Sequence, residues 1–177
     1  GGGALRPRIW GNVMAGNNDG KLAAARNAAQ AGYRVHPLHS PVFGPDDAFL
    51  SCTCKQGAEC PNAGKHPRVK DWPNNATADP DQVRRWWSKW PEANIGAATG
   101  QGLLVLDVDG ADGVQELACR EVPATRRVNT GRSDGYHLHF ATPPGYETQN
   151  NAGQLPGIDW RGDGGNVVLP GSIHYTG

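Results

Sequence analysis

Two carboxylates close an apolar run, Leu103-Leu104-Val105-Leu106-Asp107-Val108-Asp109. In an extended strand, positions i and i+2 share a face, so Asp107 and Asp109 project together from its end. Side by side they repel, and a cation or a shared proton relieves that repulsion. Divalent ions held for phosphoryl-type chemistry are one reading; a strand exit with two solvated acids is the other. Further along, Thr130-Gly131-Arg132-Ser133-Asp134-Gly135-Tyr136-His137 gathers a guanidinium, hydroxyls and an imidazole around two glycines. Gly131 and Gly135 free the backbone to curl, which turns its N–H groups towards an anion. Arg132 adds a charged fork and Ser133 a hydroxyl donor. Such a turn suits a triphosphate, or is simply the polar end of a hairpin. On the strand that follows, His137 and His139 share one face, with Leu138 and Phe140 on the other.

A second chemistry is written in Cys52, Cys54, Cys60 and His66, spaced C-x-C, five residues, C, five residues, H. Three thiolates and one imidazole complete a closed tetrahedral zinc site, which folds a loop that has no core of its own. A Cys52–Cys54 disulfide would be strained, and free thiols are the alternative reading. Cys119 stands apart in a predicted helix, where a small buried hydrophobe is expected. His36 and His39 have a metal-compatible spacing but read better as ordinary strand-end residues. Near the C-terminal end, Asp159 and Arg161 fall on one strand face. A Gly162-Asp163-Gly164-Gly165 turn and a second strand follow, predicted as a hairpin with Asp163 as a turn former.

These residues need a scaffold of short elements. The 177 residues suit one domain, with room for two packed lobes and a real core. Gly (25) and Pro (14) argue for many turns rather than a helical bundle. Seventeen basic and seventeen acidic residues cancel, so any nucleic-acid binding must come from local patches such as Gly64–Lys70. No window is long and apolar enough to span a membrane, and no signal peptide opens the chain, so a reducing cytoplasm is expected. Residues 1–18 read as a flexible tail. Lys21–Ala31 is rich in helix formers and is stopped by Gly32. Tyr33–Leu38 reads as a strand in which Pro37 implies an edge. Asp79-Pro80-Asp81-Gln82 is a helix start, and Val83, Trp86, Trp87 and Trp90 form one stripe, a core face rather than a base-stacking one. No G-x-G-x-x-G follows the acidic strand, which argues against dinucleotide binding.

Taken in order, these motifs resemble the catalytic domain of the archaeo-eukaryotic primase superfamily, in its bifunctional primase-polymerase branch. Leu104–Asp109 matches the family's first motif, Thr130–His137 its second, and Gly157–Gly165 its third. Gly64–Pro67, Asp79–Trp87 and Asn94–Gly100 match further segments typical of the branch. The second motif departs from many relatives by carrying Ser133-Asp134 where they have one residue. The resemblance implies an α+β, two-lobed fold: an αβ module carrying the zinc loop (51–67) and an RRM-like antiparallel-sheet catalytic module, over residues 19–177. It implies template-directed nucleotidyl transfer that starts or extends a primer in phage or plasmid replication, in the cytoplasm of a bacterial host. Asp107, Asp109 and Asp159 would hold two Mg²⁺ or Mn²⁺ ions. His137, Arg132, Ser133, Thr130 and Arg161 would bind the nucleotide. Implied partners are single-stranded template, primer, dNTP or rNTP, and a helicase domain in a longer chain.

Two rivals use the same residues differently. His137-Leu138-His139 is formally the His-hydrophobe-His motif of rolling-circle nicking endonucleases, which also need a nucleophilic tyrosine, typically on a helix. None of Tyr33, Tyr136, Tyr146 or Tyr175 falls in a segment predicted helical. The other rival is a non-catalytic, zinc-stabilised nucleic-acid-binding module.

Overall fold

The computed structural model describes residues 18–131 and 134–176. The predicted tail lies outside them apart from Asn18, which opens helix α1 (Asn18–Gln30), three residues before the expected start. Gly32, with φ 93°, ends that helix in the left-handed region. There Tyr33 N–H donates to Ala28 O and Gly32 N–H to Ala29 O, the paired bonds of a Schellman motif. The elements that follow are β1 (Val35–Leu38), β2 (Pro41–Phe43), β3 (Phe49–Cys52), α2 (Trp72–Asn75), α3 (Pro80–Lys89), β4 (Asn94–Ala98) and β5 (Leu103–Val108). Then come α4 (Gly110–Ala118), β6 (Arg126–Asn129), β7 (Tyr136–Ala141), β8 (Asn151–Leu155), β9 (Ile158–Arg161) and β10 (Asn166–Val168). The molecule is mixed α+β with antiparallel strand pairing throughout these sheets.

A three-stranded sheet, β1-β4-β10, carries the main core. Val35, Ile95, Ala97, Val167 and Leu169 meet Ala24, Ala25 and Ala28 of α1 and Val83 and Trp87 of α3. Each fully buried Val, Ile or Trp contributes on the order of 2 kcal/mol of apolar burial. The tryptophan stripe is thus a core face, and Trp87 spends its indole N–H on Ala93 O at 3.0 Å. Asp79 caps α3 through Asp81 N–H and Gln82 N–H, with Pro80 at the first position. Pro37 does lie on an edge strand, β1.

The five-stranded sheet runs β6-β7-β5-β9-β8 and holds the acidic strand at its centre. Two sequence expectations fail around it. β9 and β10 are not a hairpin: β9 pairs with β5, whereas β10 leaves for β4 of the other sheet. The reason lies in residues 162–165, where Gly162 packs on the backbone of Thr148. The Asp163 carboxylate there accepts from Gln101 N–H at 3.1 Å and Thr148 N–H at 2.8 Å, so the glycines serve a crossing between sheets. Cys119 is exposed rather than buried, because α4 ends at Ala118 and leaves it at the C-cap.

Candidate active site

Cross-strand register assembles the site. Asp107 on β5 lies directly opposite His137 on β7 and Asp159 on β9, and Val105, two residues back, lies opposite His139 and Arg161. One face of the sheet therefore carries Asp107, His137, His139, Asp159 and Arg161. Asp109 follows the strand in extended conformation (φ −111°, ψ 124°), so it keeps the face of Asp107. It occupies the N-cap position of α4, yet its carboxylate does not cap the helix and instead lines a cleft. Its backbone N–H donates to Gly157 O at 2.8 Å. Gly157 (φ 62°) and Gly113 approach so closely that a Cβ on either would strike the other's backbone. That contact docks the β8–β9 turn on the start of α4 and sets the height of Asp159.

The charges interlock. Arg161 Nη2 donates to Asp107 Oδ2 at 3.3 Å and to Asp159 Oδ2 at 3.0 Å. His137 Nε2 lies 3.3 Å from Asp107 Oδ1, and Gly153 N–H donates to Asp159 Oδ1 at 2.9 Å. Burial pushes the Asp107 carboxyl up, but His137 and Arg161 outweigh it and hold it below the usual carboxylate range. Asp107 is thus kept ionised although its side chain is only 16% exposed. His139 has a different position. It is 3% exposed, shares a 2.6 Å hydrogen bond between its Nδ1 and Tyr33 OH, and stays neutral, its pKa lowered to about 3 by burial, His137 and Arg126.

An open cleft of about 690 Å³ lies between the two large sheets. Asp107, Asp109, His137 and Arg161 line it from the five-stranded sheet, with Thr130 and Gly131 of the β6–β7 turn. The turn is closed by Thr130 N–H donating to Gly135 O at 3.0 Å. Arg132 and Ser133 lie outside the described residues. Asp163 proves to be a structural turn residue, as expected. Asp107, Asp109 and Asp159 offer hard carboxylate oxygens, the donor type Mg²⁺ and Mn²⁺ prefer. Their ligand atoms do not converge as a three-residue group, however, and Arg161 sits between Asp107 and Asp159.

The predicted Cys/His cluster does converge among the described residues. One ligand atom each from Cys52, Cys54, Cys60 and His66 lies within 4.8 Å of every other. His66 Nε2 is 3.7 Å from Cys52 Sγ and 3.4 Å from Cys60 Sγ. A tetrahedral zinc site with ordinary bond lengths separates its ligands by about 3.5–3.8 Å, so the cluster fits that ion. Burial keeps the His66 imidazole below its usual pKa, in the neutral form a metal needs. His36 and His39 stay outside the cluster: His36 stacks on Trp72, and His39 stacks on His66 and meets Thr53 Oγ1 at 3.1 Å.

Tyr33 escaped sequence reasoning, because it bears on the site only through a tertiary contact and no local spacing announces it. Lys65 and Asn94, by contrast, fall in the segments Gly64–Pro67 and Asn94–Gly100, which the resemblance marks without naming their partners. Tyr33 opens a predicted strand, and only the fold brings its hydroxyl to His139.

Residues 25–177 match the family model described as bifunctional DNA primase/polymerase, N-terminal. The chain belongs to this family. No curated protein matches it. A Prim-Pol domain implies a nucleotidyltransferase-type enzyme that binds nucleic acid and nucleotides. Among the described residues of this Prim-Pol domain, no helix is long and apolar enough to cross a membrane.

Proposed function

We propose that this domain is a template-directed DNA primase-polymerase that extends or starts a primer with the help of two divalent ions, in phage or plasmid replication. One observation carries the reading: Asp107 sits in register between His137 and Asp159, with Arg161 bonded to both carboxylates. Asp107, Asp109 and Asp159 would hold the ions, which when bound supply activation of the primer 3′-hydroxyl and charge for the leaving pyrophosphate. Arg161 and His137 keep Asp107 ionised and so ready for a cation. His137 and Arg161, with Thr130, Arg132 and Ser133 of the glycine turn, bind the triphosphate. The Cys52–Cys54–Cys60–His66 cluster carries one structural zinc. In this reading residues 19–177 are the catalytic part of a longer replication protein, with a two-lobed arrangement whose five-stranded sheet is the RRM-like module.

The nicking reading is disfavoured by His139, which is buried against Tyr33 rather than presented to the cleft, and by the tyrosines. Tyr33, Tyr136, Tyr146 and Tyr175 all lie outside helices. The test is primer extension on a single-stranded template with Mn²⁺ and dNTPs or rNTPs. Wild type should extend, and Asp107→Ala/Asp109→Ala should not. Retained extension in the double variant removes the metal assignment. No extension by wild type favours the binding module, and covalent attachment to DNA favours the nicking enzyme.

A further inference from the structure

The proposed chemistry leaves Lys65 unassigned, in the stretch Gly64-Lys65-His66-Pro67 at the exit of the cysteine loop. Lys65 lines the cleft on the wall built by the three-stranded sheet and its loops, together with Asn166 and His174. Its position is held from two sides. The Lys65 carbonyl accepts from Asn166 Nδ2 at 3.2 Å. Asn94 Nδ2 donates to Gly64 O at 3.0 Å and to Ile173 O at 2.8 Å, while Asn94 Oδ1 accepts from Ile173 N–H and Lys21 Nζ, both at 2.9 Å. Asn94 is fully buried, and a buried amide with every group bonded is a rigid fastening. It joins the two segments that bring Lys65 and His174 to the cleft. The residue after Lys65 is the cluster ligand His66, so the cysteine loop fixes the backbone of Lys65 from its other end.

The opposite contact points to what Lys65 meets. The His174 ring packs on Gly131, where a Cβ would come within 2.6 Å of His174 Cγ. Gly131 opens the glycine turn that the proposed function gives to the triphosphate, so the Lys65 wall closes on that turn. The cleft volume of about 690 Å³ falls in the small-molecule range, about 300–1,000 Å³. We propose that Lys65 binds a phosphate of the incoming nucleoside triphosphate. Asn94 and the Cys₃His loop are the positioning elements that deliver it. This rests on the nucleotidyl transfer proposed above.

The experiment measures equilibrium binding of α,β-methylene-dATP with Mn²⁺, and of a single-stranded oligonucleotide, to the full chain. Lys65→Ala should weaken nucleotide binding about tenfold, leave oligonucleotide affinity and melting temperature unchanged, and be largely rescued by Lys65→Arg. A Cys54→Ser/Cys60→Ser variant should weaken nucleotide binding in the wild-type background and add nothing on top of Lys65→Ala. An equal further loss in the Lys65→Ala background overturns the delivery role. Unchanged nucleotide affinity in Lys65→Ala overturns the phosphate contact, and a loss confined to the oligonucleotide moves Lys65 to the strand backbone instead. If Asp107→Ala/Asp109→Ala loses the Mn²⁺-dependent binding while Lys65→Ala does not, only this inference falls. A wild-type protein that binds no nucleotide removes both.

Discussion

The proposed function puts ions at two places in the molecule, and the two are built in opposite ways. Cys52, Cys54, Cys60 and His66 come from one short stretch, with only a small apolar cluster beneath them. Asp107, His137, Asp159 and Arg161 come from three strands and are placed by sheet register, with Asp109 just past the end of β5; the five are spread over more than 50 positions. The first cluster has soft donors and no internal cation. The second has hard donors and carries its own counter-charge in Arg161. The difference separates two uses of an ion. A loop without a core needs a metal to fold, whereas in the proposed reading a sheet that is already folded can keep its carboxylates ionised for an ion that comes and goes with substrate.

The contrast can be broken most forcefully at its catalytic end. Asp107→Asn keeps the shape but removes the charge, and should lower primer extension at least about a thousandfold; extension retained within about tenfold of wild type in the folded variant would mean that the acid is structural. At the other end, stripping zinc should raise amide exchange in residues 52–66 at least about a hundredfold, roughly 3 kcal/mol. The amides of β5, β7 and β9 should be unmoved, as followed by hydrogen exchange with mass spectrometry. Uniform loosening would show that the loop is not a separate folding unit.

Acid tests the framework between them. His36 is buried beside Asn166, on Trp72 and near Arg34, and burial first of all lowers its pKa from 6.5 to about 4. A depressed histidine stabilises the folded state in its neutral form. That stability is complete above pH 6.5 and is lost as pH falls towards 4. Between pH 7.5 and 4.5 the His36 share should be about 2 kcal/mol. Urea unfolding of His36→Phe should lack that part of the acid sensitivity; an identical pH profile would refute it. The smallest effect is at Tyr33→Phe, which removes the 2.6 Å bond to His139 and should cost about 1 kcal/mol in thermal unfolding. It should reduce extension by much less than Asp107→Asn does.

The two clusters were also unequally legible. The cysteine loop is local, so its spacing alone predicts convergence. For the acidic site, alternation placed each pair on a strand face, but which strands are neighbours is a matter of register between distant segments. Asp107 lying opposite both His137 and Asp159 emerges only when β5 is central. Glycine misled at residues 162–165, because a turn and a crossing between sheets both need a small, permissive backbone. Cys119 misled because one residue of helix length separates a buried face from an exposed cap. The partners of Asn94 and Tyr33 were hidden for a plain reason: they lie far along the chain, and a polar residue at a strand end carries no signal of what it will bind.

The crossing itself has a last consequence. Arg161 and Asn166 belong to facing walls of the cleft, yet only residues 162–165 separate them along the chain. Surface loops elsewhere tolerate a change of length at little thermodynamic cost. Here a single inserted or deleted residue would turn Asn166 and Val167 to the wrong faces of β10 or pull Asp163 off Gln101 and Thr148. The span between catalytic and opposing walls is therefore counted out in whole residues, and length variation in this protein must be accommodated somewhere else.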